Sequence, residues 1–269
     1  MRSQQISGAG FVVLALGEVD TASHRPSRSE DFIEQLFRSV RPRYVPVMDT
    51  PKADTVTVAG RSVQNPAEII VNYLLRHGGT IAHYDVLAGT LADTITPPAV
   101  KATRKISSRI SEEQSAWFTR RGASAPWRLV PIDADLRNAD PIVEDGLYDA
   151  ALCLWRHFAD DAPKYVGTAK ISKVLFLMRP RMYPILDSRL MGLYRSAAAV
   201  SARESVAARP DLGPVKRIFW EAIRRDLVAS TAGLAALRTH VATTHPDHAE
   251  TVEQLSDLRL LDMLTWTQS

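Results

Sequence analysis

The sequence predicts a mainly α-helical protein, on three observations. From Asn65 onward, apolar residues recur at spacings of three and four, the period of a helix packed along one face. Stretches with strand-like alternation are few after position 64. Cap and stop residues flank the periodic segments, as where Asn65-Pro66 opens one and Gly78-Gly79 closes it. At 269 residues, 45% hydrophobic and 23% charged, the chain has globular composition and enough length for one large domain or two small ones.

The elements follow in order. "FVVLALG", residues 11–17, reads as a strand or a loosely packed arm. Residues 21–30, "TASHRPSRSE", read as a linker, and "SEDFIEQLFRSV" as an amphipathic helix stopped by Pro42. "DTVTVAGRSV" alternates and turns at Ala59-Gly60, which suggests a small hairpin. We divide the chain into an N-terminal arm, residues 1–64, and a helical domain, residues 65–269. In the latter, "NPAEIIVNYLLRHGG", "PPAVKATRKISSRISEEQSAWFTRR" and "DPIVEDGLYDAALCLWRHFA" are helical, and residues 122–141 are irregular. Further helices are expected at about 168–179, 187–199, 213–228, 230–243 and 247–266.

Composition excludes several classes. Cys153 is the single cysteine, so neither a disulfide framework nor a cysteine-ligated cluster or zinc knuckle can form within the chain. Its apolar company, "LYDAALCLW", predicts a buried thiol. No stretch approaches the ~20 apolar residues of a membrane span. "FVVLALG" is short for a signal segment, and Glu18 and Asp20 follow it at once. These features predict a cytoplasmic protein without a membrane partner or a cofactor.

The net charge of +3 is modest, but its distribution is not even. Residues 164–195 hold seven Lys and Arg against one acid, Asp187. An anion site is therefore focused there. A turn at Gly167 feeds a helix whose first N–H groups suit a phosphate. The nine residues 179–187, "RPRMYPILD", then end that helix at Pro180 and reach Asp187 at the start of the next. A near-copy, "RPRYVPVMD", occupies residues 41–49. Two compatible readings fit Asp187. It is a preferred helix cap, and a capping carboxylate at the mouth of a cleft can also be catalytic.

This segment resembles the helix-hairpin-helix DNA glycosylase superfamily, most closely the adenine-excising members of the endonuclease III type. Val166-Gly167 matches the end of the hairpin, and Pro184-Ile185-Leu186-Asp187, with Asp187 twenty residues after Gly167, matches the phrase holding the catalytic aspartate. Arg195 suits the helix that follows. Tyr165 stands where the hairpin carries its first glycine, and Ala169 where lyase-competent members carry lysine, Lys170 being one residue out of register. The resemblance covers about thirty residues. It implies a helical glycosylase-like bundle with a cleft and DNA as partner. It also implies a monofunctional enzyme that hydrolyses the N-glycosidic bond of a flipped-out base. Asp187 would stabilise the oxocarbenium-like sugar and position a water. The alternative is a non-catalytic DNA-binding module of a defence or regulatory system. The ending "LSDLRLLDMLTW" and the "RPR…P…D" phrase also resemble an uncharacterised bacterial family that brings no known activity.

The DNA contacts expected are Val166, Gly167, Thr168, Lys170, Lys173, Arg181 and Arg189, with a second basic run at Lys101, Arg104 and Lys105. That run is either a phosphate-facing stripe or a solvated helix face. Tyr84, Trp117 and Phe118 are the candidates for stacking on a flipped base, Trp117-Phe118 because it lies between two basic stretches. His83 and Asp85 in "HYD" fit an acid/base pair or the first turn of a helix. "HPDH", residues 245–248, has metal-like letters without a third local ligand.

Overall fold

A computed structural model describes residues 55–266. The expected helix of residues 29–40 and the first "RPR" phrase lie outside the described residues. The fold is mainly helical, with one small antiparallel hairpin ahead of the helices. Among the described residues, no helix is long and apolar enough to cross a membrane.

The hairpin pairs β1 (Thr57–Val58) with β2 (Arg61–Ser62) around Ala59 and Gly60, both at positive φ, as a tight turn between antiparallel strands requires. It does not stand apart as an arm. Val56, Val58 and Val63 are buried in the core. Polar bonds fix the hairpin to two later helices, α8 (Phe219–Ala229) and α9 (Thr231–Thr244). Thr57 N donates to Ser230 Oγ at 2.9 Å and Gly60 N to Asp226 Oδ1 at 3.1 Å.

The first helix, α1 (Pro66–His83), does not end at its glycine pair. It kinks at His77, where φ is −122° and ψ 26°, and resumes through Gly78 and Gly79. Asn65 sits at the cap position in a left-handed conformation, and its side chain makes no capping bond. The stretch read as one helix from Pro97 splits into α2 (Pro97–Ala102), a 3-10 turn and α3 (Glu112–Ala123). Left-handed Ser107 breaks it, and a Ser111–Gln114 capping box restarts it. Then come α4 (Leu147–Ala159), α5 (Thr168–Met178), α6 (Ser188–Leu193) and α7 (Arg195–Ala208). The expected 187–199 helix is thus cut at Tyr194. The last predicted helix likewise divides into α10 (Ala249–Gln254) and α11 (Asp257–Thr265), restarted by a Ser256 cap.

Helix α5 is the spine. Every residue from Ile171 to Met178 is buried, the polar Ser172 and Lys173 included. A smaller core on one flank contains Tyr84, stacked on Phe176 at 5.7 Å. The main core holds Phe118, Trp127, Phe158 and an aromatic group about Trp220. Cys153 is exposed on α4, contrary to the reading from its apolar neighbours, because its position on the helix falls outside the buried stripe of Ala151, Leu154 and Phe158.

A close backbone approach joins α9 to the segment entering the hairpin. A Cβ on Gly233 would stand 2.5 Å from Thr55 O and 2.6 Å from Thr55 C, backbone atoms that cannot step aside alone. At Gly78 a Cβ would meet open space. Thermal unfolding of the two alanine variants tests this contact. Gly233→Ala should destabilise by about 1–3 kcal/mol, whereas Gly78→Ala should be neutral or stabilise by up to about 1 kcal/mol.

Candidate functional site

The site is built along α5. Gly167 caps this helix in extended conformation, and the helix opens on the exposed residues Gly167 and Thr168, with nothing within 4 Å of where a Gly167 side chain would begin. The preceding Tyr165, which stands in place of the hairpin's first glycine, has φ +68° and is 75% exposed. The turn is thus made without glycine, at a cost on the order of 1–2 kcal/mol. Val166 beside it is buried and anchors the turn.

At its other end α5 stops at Arg179. This guanidinium is buried and fully engaged. It donates to Val130 O (2.6 Å), Ala92 O (3.0 Å) and Asp93 (2.5 Å), and lies 5.1 Å from the Trp127 ring centroid. After Pro180 the chain turns and runs back as the buried extended stretch Tyr183–Leu186. Leu186 N donates to Ser172 Oγ at 3.0 Å, which ties the returning chain to the middle of α5. The next residue is Asp187. Ser172 lies four residues beyond Thr168, so Asp187 stands beside α5 about 6 Å along its axis from the open N-terminus.

Asp187 is the N-cap of α6, its Oδ1 accepting from Leu190 N at 2.9 Å. It also lines a cavity of about 130 Å³, so the cap and the cleft coexist at one carboxylate. Three aromatic rings line the same cavity. Tyr73 and His77 from α1 have centroids 4.5 Å apart, and Trp266 at the end of α11 lies 6.5 Å from Tyr73 and 6.4 Å from His77. Arg189 of α6 lies 5.0 Å from the Trp266 ring centroid. Thr80, Lys105, Lys173, Arg259 and Asp262 also line it.

Arg259 is the most enclosed charge in the wall. It donates to both oxygens of Asp85 (2.7 and 3.1 Å), to Tyr73 Oη (3.1 Å) and to Asp262. Lys173, also buried, donates to Ile106 O at 2.6 Å. Burial lowers its affinity for a proton, while Asp187 and Asp262 raise it again. Around this floor, two buried cations, Arg259 and Lys173, face three carboxylates, Asp85, Asp187 and Asp262. The set is net negative when all are ionised. Burial pushes the Asp262 carboxyl up to about 6 despite the opposing pull of Arg259.

The expected site residues divide accordingly. Lys105 and Lys173 join Asp187 at the cavity, and Arg189 reaches the Trp266 ring on its wall. Lys101 and Arg104 are no bare stripe: both reach Glu112, at 2.9 and 3.4 Å, and Arg104 also donates to Ile110 O. Lys170 is bound to Gln114 Oε1 at 2.7 Å. Arg181 pairs with Asp135 at 3.1 Å on a different cavity. The three base-pocket candidates lie elsewhere. Tyr84 is fully buried with its hydroxyl donating to Lys173 O at 2.8 Å, and Phe118 is fully buried in the main core. Trp117 packs edge-on against Phe118 at 4.8 Å. All three satisfy packing, and none lines the cavity beside Asp187.

"HYD" also resolves, since Asp85 is the buried partner of Arg259. In "HPDH" the two imidazoles are 6.5 Å apart, and among the described residues no three His, Cys, Asp or Glu side chains gather as a metal site.

The family described as a family of unknown function (DUF6308) matches residues 66–269. The chain belongs to that family. No curated protein and no solved structure matches it. The DUF6308 region opens at the first residue of α1 and contains every cavity residue named above. Sequence reading missed Tyr73, His77, Asp262 and Trp266. Two local signals were present: Tyr73 and His77 are one helical turn apart, and Arg259, Asp262 and Trp266 share a face of the last DUF6308 helix. No spacing links one pair of signals to the other.

The Asp262 carboxyl yields a signed test. Its folded-state value lies above the unfolded one, so its contribution to stability is fully present below about pH 4 and is lost as pH rises through about 6. Asp85 and Asp226, also raised by burial, act in the same direction. In urea unfolding followed by circular dichroism, lowering the pH from 7.5 to 5.5 should return about 1 kcal/mol through Asp262. Asp262→Asn should remove that part of the slope.

Proposed function

We propose that this chain is a DNA glycosylase-like hydrolase that acts on a flipped-out base, with Asp187 as its catalytic carboxylate. One observation carries the reading. The Asp187 carboxylate and the aromatic group Tyr73, His77 and Trp266 share the walls of one cavity, about one helical turn along α5 from an open, basic N-terminal turn. The cavity is well below the ~300 Å³ of sites for drug-sized ligands. It suits a single planar ring, so the base enters and the sugar and phosphates stay at the mouth. The aromatic faces replace the stacking that the base gives up on leaving the duplex.

Breaking the N-glycosidic bond leaves positive charge on the sugar. Asp187, the one carboxylate in excess over the buried pairs of Arg259 and Lys173 with Asp85 and Asp262, stabilises that charge and orients the attacking water. The cap bond to Leu190 occupies Oδ1. Among the described residues Oδ2 has no hydrogen-bond partner, which leaves it for the water. Phosphates are held electrostatically by Lys105 and the Gly167–Thr168 turn. The cap bond also favours a second reading, a DNA-binding module without catalysis, because it alone gives Asp187 a structural role.

Incubation with DNA carrying modified, mispaired or ordinary bases, followed by hot alkali, separates the two readings. Wild-type protein should produce alkali-labile abasic sites on at least one substrate. Asp187→Asn, which keeps a good helix cap, should lose roughly 10²–10⁴-fold in rate without unfolding. Abasic sites that persist in that variant remove Asp187 from the mechanism. Binding without any abasic product supports the module. In either case Lys105→Ala should flatten the dependence of log K on log salt by about one phosphate contact.

A further inference from the structure

We infer that Tyr165 is a stacking platform for an unpaired base, placed on the turn that precedes α5; this rests on the DNA reading above. Tyr165 suits neither its packing nor its backbone. The residue is 75% exposed, the highest among the exposed large apolar residues of the described part of the chain. Its φ of +68° is a left-handed conformation that glycine or asparagine adopts more readily. A non-glycine residue held in such a conformation points to a use for its side chain.

The support beneath the ring is firm. Val166, the next residue, is buried, and its N–H donates to Pro163 O at 2.9 Å. Gln114 clasps the turn from α3. Its Nε2 donates to Lys164 O at 3.4 Å and its Oε1 accepts from Lys170 Nζ at 2.7 Å. Around the ring the charge is positive, with the Lys164 ammonium 5.0 Å from the ring centroid. Two acids of the flanking segments are taken up elsewhere, Glu112 by Lys101 and Arg104, and Asp161 by Arg121. An exposed aromatic face on a fixed cationic turn matches single-stranded or locally opened nucleic acid. The base stacks and the neighbouring phosphate meets the lysine. This use is tied to the tyrosine and would be lost with glycine at the position.

Fluorescence anisotropy with a dye-labelled oligonucleotide, single-stranded and as a duplex with one unpaired base, tests the assignment, alongside thermal melting. Tyr165→Phe keeps the ring and should bind as the wild type does. Tyr165→Leu and Tyr165→Gly should bind roughly five- to a hundredfold more weakly. Tyr165→Gly should also melt at or above the wild-type temperature, since glycine suits the backbone. That pairing of unimpaired folding with impaired binding is what a merely structural tyrosine does not produce. Wild-type binding that is unchanged in the Leu and Gly variants overturns the platform and leaves the DNA reading standing. Failure of the wild type to bind either oligonucleotide overturns the DNA reading and the platform with it.

Discussion

The fold around the cavity depends on one buried guanidinium. Arg259 is about 2% exposed and joins three parts of the chain: its own helix α11, the turn after α1 that carries Asp85, and Tyr73 on α1 itself. Taking an isolated cation out of water costs several kcal/mol, and only good geometry with full hydrogen bonding repays it. Here the planar fork meets Asp85 with two bonds and has bonds left for Asp262 and Tyr73. The arrangement fixes direction more than it adds stability. It decides which face of α11 turns inward, and so brings Asp262 and Trp266 to the wall that Asp187 shares.

The second constraint is the return of the chain along α5. Pro180 cannot continue a helix, and the residues after it run extended and buried beside the spine. Once Leu186 is tied to Ser172, the place of Asp187 follows from covalent geometry. The phrase "RPRMYPILD" therefore acts as a folding device, with an arginine to close the core, a proline to stop the helix, and an aliphatic run to return to it. Of its two arginines, Arg179 is consumed by the interior and Arg181 by Asp135. Local basic charge counted along the sequence thus overstates what the surface presents.

Helices were largely legible from sequence, because period and composition are local properties. Their ends were less so. Gly78-Gly79 reads as a stop, yet α1 continues beyond a kink at His77 through residues that are mostly exposed, its buried positions Ile70, Val71, Tyr73 and Leu74 all lying before the kink. Tyr194 reads as helix interior, yet its backbone leaves the helical region and separates α6 from α7. Of the residues singled out in the sequence, Asp187, Lys105 and Lys173 line the cavity, and the aromatic residues do not. Tyr84, Trp117 and Phe118 lie near basic stretches in sequence, but proximity along a chain does not determine whether a ring faces the core or a cleft.

What the sequence by itself determined was the helical class and the hairpin at Ala59-Gly60, which rest on neighbours close in the chain, together with the twenty-residue spacing from Gly167 to Asp187. Only the tertiary structure decided that Asp187 is both cap and cavity wall. It also decided that Asp85 answers Arg259 across 174 residues, and that Trp266 meets Tyr73. Such long-range pairings follow from the packing of whole helices, where burial of apolar faces and pairing of enclosed charges are settled together.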